Sequence, residues 1–320
     1  MNRKTLIVIL TVGFCLGAAP AWAGPLATSE ISADANWIVH IDHETFLRSS
    51  IGRLVRTEMN AQNAEEQLQS FATIFGFHPL DDVRDATLYG TGQDRKKAVV
   101  LIDGKFDQDK LLALVRMNAQ HAEFTHNGVT IHRWLHEEKK EQEPTSQMMY
   151  GCLYDEHLVV MSADLDTTRR AIDTVRNDAG GVSAELLGPA SSNRDETFFQ
   201  VVATGVGAMA GDEPRAALLR QTEALRLHAG ETNGKVFMTI ALQGTSQEVA
   251  QNVSKMADGM IAMATLAGKE QPALAELVRN IQLSTDDKTT HVHFEAPAQS
   301  VFDFLRKQWQ QKKQQPESTS

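Results

Sequence analysis

Residues 225–242 read Leu-Arg-Leu-His-Ala-Gly-Glu-Thr-Asn-Gly-Lys-Val-Phe-Met-Thr-Ile-Ala-Leu, with an Asn233-Gly234 step at their centre. A two-residue turn of type I′ needs positive φ at both central positions, which Asn and Gly tolerate. Counting outward from it sets Leu225, Leu227 and Ala229 opposite Leu242, Ile240 and Met238. Both strands then carry their apolar residues on one face, as a paired hairpin with one buried side requires.

The same count around Asn127-Gly128 sets Phe124 opposite Ile131 in a second, shorter hairpin. Alternation with polar turns predicts three more: Ala86 to Thr91 with Ala98 to Asp103, Met149 to Tyr154 with His157 to Ser162, and Ile281 to Thr285 with Thr290 to Phe294. In the last, a turn at Asp287-Lys288 sets Ile281 opposite Phe294 and Leu283 opposite Val292. Helices are expected over Asp107–Ala119, Leu165–Arg176, Gln247–Leu266 and Gln299–Trp309, with Asp107 and the pair Thr245/Glu248 as N-terminal caps.

The order of these elements repeats. Strand Trp37–Asp42, a helical stretch over Glu44–Phe75, hairpin, helix, hairpin and helix are followed by strand Phe198–Ala203, a helix near Pro214–Glu223, and the same hairpin and helix alternation. The pattern predicts an α+β protein of two tandem, duplicated domains, each an antiparallel sheet with helices mainly on one face. The first domain spans 24–177 with an insertion at about 122–147, and the second spans 197–309. Between them, 178–196 carries Gly180-Gly181 and Pro189 and reads as a linker, and the polar tail 310–320 reads as disordered.

The chain resembles a loose group of uncharacterised secreted bacterial proteins with this strand-hairpin-helix architecture. The matching phrases are Ala33-Asp34-Ala35-Asn36-Trp37-Ile38-Val39-His40-Ile41-Asp42, Gly104-Lys105-Phe106-Asp107 and Leu158-Val159-Val160-Met161-Ser162. The resemblance covers nearly the whole chain after residue 23, and it implies no activity.

The N-terminus carries the sequence pattern of an export signal. Arg3 and Lys4 give a positive start, Leu6–Ala19 an apolar run, and Ala21-Trp22-Ala23 the small-x-small pattern preceding signal-peptidase cleavage. The run is shorter than the roughly 18–20 residues that cross a bilayer, so 1–23 is expected to be a cleaved signal peptide leaving no transmembrane segment in the mature chain. A periplasmic or extracellular location follows. Cys15 leaves with the signal, and Cys152 alone cannot form an intramolecular disulfide. Its setting, Met149-Tyr150-Gly151-Cys152-Leu153-Tyr154, reads as a buried strand with an inert thiol.

Among 320 residues, 22% are charged and 42% hydrophobic, which excludes a disordered or collagenous chain. The net charge is −10, and loss of Arg3 and Lys4 takes it to −12. That balance, without a basic patch, disfavours nucleic acid as a partner.

Gly205-Val206-Gly207-Ala208-Met209-Ala210 follows a predicted strand and matches G-x-G-x-x-A, with Glu231 downstream. Pro214 and the turn-back at Asn233-Gly234 count against a dinucleotide site, so a strand-to-helix connection and no cofactor are expected. His291-Val292-His293 places two imidazoles on one side of a strand, a fit for zinc or copper that lacks a third ligand, and no stoichiometric zinc or copper is expected anywhere in the chain. His40, Asp42, His43 and Glu44 concentrate proton-transfer groups at a strand end, and His132 with His136 form another pair; both sets read as surface polarity. Met256, Met260 and Met263 form a stripe that, with Ile261 and Leu266, reads as the buried face of an amphipathic helix. No HExxH, P-loop or Cys-x-x-Cys is present. The expectation is an exported, non-catalytic binding or scaffold module of the bacterial envelope, acting on an envelope protein or ligand. The alternative is an exported hydrolase or metal-binding protein using the His40/Asp42/His43/Glu44 cluster.

Overall fold

Asn127 and Gly128 have φ of 50° and 82°, and Asn233 and Gly234 have φ of 52° and 75°, the left-handed pair that closes a type I′ turn with the twist of the flanking strands. In the computed structural model, which describes residues 26–62, 64–139, 144–176, 181–182, 184–187, 196–209, 219–268 and 271–314, these turns organise twelve strands into one antiparallel sheet. The signal-peptide expectation for 1–23 lies outside the described residues.

The strands are β1 (Trp37–Asp42), β2 (Val83–Gly90), β3 (Val99–Gly104), β4 (Ala122–His126), β5 (Val129–Lys139), β6 (Pro144–Leu153), β7 (Leu158–Ser162), β8 (Thr197–Thr204), β9 (Thr222–Thr232), β10 (Lys235–Gly244), β11 (Ile281–Asp286) and β12 (Thr289–Pro297). The helices are α1 (His43–Arg48), α2 (Ser50–Ala61), α3 (Ala64–Phe75), α4 (Gln108–Arg116), α5 (Leu165–Val175), α6 (Ala184–Leu187), α7 (Val206–Met209), α8 (Gln247–Ala267), α9 (Pro272–Val278) and α10 (Ala298–Gln314). The chain is α+β, and among the described residues no helix is long and apolar enough to cross a membrane.

The sheet order is β11-β12-β10-β9-β8-β1-β2-β3-β7-β6-β5-β4. Outward from the β8–β1 seam, one half runs β1-β2-β3-β7-β6 and the other β8-β9-β10-β12-β11, so in both the second hairpin docks by its second strand. The two half-sheets are joined edge to edge rather than standing apart. β4 and β5, the expected insertion, extend the first half by two strands. Each register counted from the sequence is present: Leu225↔Leu242, Leu227↔Ile240, Ala229↔Met238, Phe124↔Ile131, Ile281↔Phe294 and Leu283↔Val292.

In the first half, alternate strand residues Ile38, Tyr89, Val99, Leu101, Ile131, Cys152 and Val160 are buried beneath Ala171 and Ile172 of α5, together with Ile31 and Leu186. Leu186 belongs to α6, so part of the expected linker is core. Burial also pushes the Cys152 thiol up to about 12, leaving it protonated and unreactive. A separate cluster forms where Ile51 of α2 meets Ala298 and Phe302 of α10.

Several local expectations shift. Instead of the helix expected near Pro214–Glu223, the chain makes a 3-10 turn at Leu219–Gln221 and enters β9 at Thr222; residues 210–218 lie outside the described ones. α10 continues through Gln314 into the segment expected to be disordered. α8 is capped by Ser246, extended at φ −149°, whose Oγ accepts from the Val249 N–H at 3.2 Å, instead of by Thr245.

The methionine stripe also turns out differently. Met256, Met260 and Met263 are 51%, 64% and 66% exposed, while Val249, Ala250 and Val253 are buried. Past Lys255 the helix is apolar on more than one side, so hydropathy leaves its rotation open. Small Ala250 settles it by letting the backbone approach the sheet, where its carbonyl accepts from the buried Thr290 hydroxyl at 2.8 Å.

Candidate functional site

β1 is a central strand with neighbours on both sides, so its alternate residues have no route to solvent on the packed face. His40 and Asp42 fall there, and the chain turns directly into α1 with His43 and Glu44. All four are buried, at 4%, 7%, 0% and 5% exposure, which corrects their reading as surface polarity. The Asp42 carboxylate caps α1, accepting from the Thr45 N–H at 2.8 Å and its hydroxyl at 2.7 Å. His43 Nδ1 lies 2.8 Å from the Val83 carbonyl and therefore carries the proton. His40 Nδ1 lies 2.9 Å from Thr87 Oγ1, and Glu44 meets Arg48 at 3.4 Å. Burial pushes both histidines down to about 4, so they are neutral at neutral pH.

One neighbour was not read from the sequence. Asp85 of β2 lies directly opposite Asp42 on one side and Asp103 on the other. Burial first, then the charges of Asp103, Asp42 and Glu30, push its carboxyl up to about 8 against the pull of Arg84, which itself pairs with Asp103. A carboxyl that stays protonated at neutral pH has the chemistry of a general acid. Cavities at Ser50, Arg53 and Pro297, at Asp34, Tyr89 and Arg170, and at Lys105 and His157 are lined neither by Asp85 nor by the four predicted residues. The cluster caps a helix and ties β1 to β2.

His291 and His293 are half-buried on one side of β12, beside Ala241 and Thr239 of β10, and His293 Nδ1 lies 3.2 Å from Thr239 Oγ1. Among the described residues no third ligand joins them. At Gly205, with φ of 65°, the chain enters the four-residue α7, and β8 pairs antiparallel with both neighbours, so the parallel crossover of a dinucleotide fold is absent at this motif. His132 and His136 are four strand residues apart, about 13 Å, and do not form one site. His136 is exposed opposite Gln147, whereas His132 is buried beside His121 and Glu123. The hairpin count that paired Phe124 with Ile131 also pairs Glu123 with His132, and that was the available signal.

The other side of β1 carries a feature that spans the molecule. Leu283, Val292, Ile240, Leu227, Val201, Val39, Leu88, Val100, Met161, Gly151, His132 and Glu123 are consecutive cross-strand partners, one from each of the twelve strands. The first nine are apolar and half-buried, and the row turns polar only at its β5–β4 end.

No protein-family model matches the chain, and no curated protein matches it in sequence. Among solved structures, crystal form I of TP0453 is similar at 8% identity and a TM-score of 0.45, covering 89% of this chain and 98% of that one. Crystal form III of TP0453 is similar at 10% identity and a TM-score of 0.46, covering 89% and 99%.

Proposed function

We propose that the protein is an exported, non-catalytic binding or scaffold module of the bacterial envelope whose working surface is the sheet face bearing Val39. Repeats 24–177 and 197–309 join at β1 and β8 to make that face continuous. The observation carrying this reading is the row of nine half-buried apolar residues from Leu283 to Met161, broader than either half alone provides. An apolar surface on this scale is characteristic of a contact site for a protein or an apolar ligand. The hydrolase alternative loses support because His40 and His43 are buried, uncharged and engaged in fastening β1 to β2.

The test begins with exported protein whose intact mass places the first residue at Gly24. Mature chain is then used for affinity capture from envelope extract beside a folded Leu227→Glu/Ile240→Glu variant. A ligand or protein retained by the first and lost by the second is the expected result. Equal retention, or turnover of an ester, peptide or glycan substrate that Asp85→Asn abolishes, overturns the reading.

A further inference from the structure

The polar end of the cross-strand row holds three ligand atoms within 4.8 Å of one another. His121 Nε2 lies 3.2 Å from His132 Nδ1, and Glu123 Oε1 lies 3.5 Å from His132 Nδ1 and 3.9 Å from His121 Nε2. The type I′ turn at Asn127-Gly128 holds Glu123 directly opposite His132, and His121 enters from the residue before β4. The two imidazoles meet nitrogen to nitrogen, with ring centroids 5.5 Å apart and planes 19° from parallel. Their facing nitrogens share one proton, since one ring must donate and the other accept.

A tetrahedral zinc ion with bonds of about 2.0–2.1 Å sets its ligand atoms about 3.3 Å apart. The three separations here bracket that value, and two imidazoles with one carboxylate make a borderline-soft set suited to zinc-class dications rather than calcium or magnesium. The structure assigns His121, Glu123 and His132 as a binding site for one zinc-class divalent cation at the β4–β5 edge of the sheet, with water completing the coordination.

The other close His/acid group differs in a way that separates structural from ligating histidines. In Glu65, His78 and Asp81, the His78 Nδ1 lone pair already accepts from the Leu80 and Asp81 N–H groups at 3.3 and 3.2 Å, closing a turn. At the β4–β5 site the two imidazoles engage each other, and Arg116, whose guanidinium is exposed, donates to Glu123 Oε1 at 3.2 Å. A cation entering the site displaces Arg116 from that oxygen and the shared proton from the imidazole pair. Bound there, it clips the α4–β4 connection to β5.

Zinc chloride titrated calorimetrically into the full mature chain at neutral pH is expected to show one-to-one binding, and Co2+ in its place the intense visible absorption of tetrahedral cobalt. His121→Asn, at a half-buried position, and Glu123→Gln, at an exposed one, are each expected to weaken binding by about tenfold or more, the lower end of the typical cost of disturbing a ligand's supporting shell. Arg116→Gln is expected to tighten it, and His291→Ala/His293→Ala to leave it unchanged. Absence of zinc binding by the wild-type chain, binding indifferent to His121→Asn and Glu123→Gln, or binding lost in the His291/His293 variant each overturns the assignment. None of these outcomes depends on whether the apolar face binds a partner.

Discussion

Val39 of β1 lies directly opposite Val201 of β8, and through this pair the two halves of the chain become one sheet. Directly opposed side chains in an antiparallel pair couple by roughly 0.2–1 kcal/mol, with like charges unfavourable. Val39→Asp/Val201→Asp is expected to be less stable than the sum of its single variants, and Val39→Asp/Val201→Lys more stable than its sum, each by about 0.5–1 kcal/mol. Urea unfolding of the two cycles measures both, and strict additivity would refute the seam register.

Asp85 predicts a pH dependence of defined sign. Its carboxyl has an ordinary value of 3.8 and is pushed up to about 8 in the folded chain, so the folded state holds this proton more tightly than the unfolded state. The stability this contributes is complete below about pH 4 and is lost as pH rises to about 8. Asp85→Asn preserves the neutral form throughout. Its stability advantage over wild type is therefore expected to grow from pH 4 to pH 8, reaching about 2–5 kcal/mol. His40 and His43, pushed down to about 4, act oppositely: they contribute above pH 6.5 and lose that contribution as pH falls toward 4. Being common to both proteins, they cancel in the difference, and a difference flat across pH 5–8 would exclude a raised Asp85.

The rotation of α8 is open to a direct check. Met260→Glu places a charge on a side chain that is 64% exposed and is expected to change stability by no more than about 0.5 kcal/mol. Val253→Asp buries an unpaired carboxylate at a position 2% exposed and is expected to cost about 3 kcal/mol or more. Comparable costs for the two, by thermal or chemical unfolding, would mean that the methionines face the sheet.

The β5–β6 pairing was not legible in the sequence, whereas the α+β class, the five expected hairpins and the three registers counted from their turns were. The reason is that a type I′ turn is a local device: two residues with positive φ determine which side chains meet for several pairs on either side. Asp107 as a cap and the buried thiol of Cys152 followed from equally short-range chemistry. The choice of one sheet over two was not legible, because Val39 and Val201 stand 162 positions apart and no local pattern records which edges join. His40, Asp42, His43 and Glu44 looked like a polar surface because alternation names the side of a strand on which a residue lies, while its burial depends on what packs there. The same reason hid Asp85, whose carboxyl is raised first by burial and then by the charges of Asp103 and Asp42 on two other strands. Met256, Met260 and Met263 were misplaced because α8 is apolar on several sides, and the packing of Val249, Ala250 and Val253 on the sheet, with the Ala250 carbonyl bonded to Thr290, chose among them. Pairings within reach of a turn could be read residue by residue from the chain, whereas the covered faces and the meetings of distant polar groups arose only on folding, since burial and charge coupling depend on neighbours from separate segments.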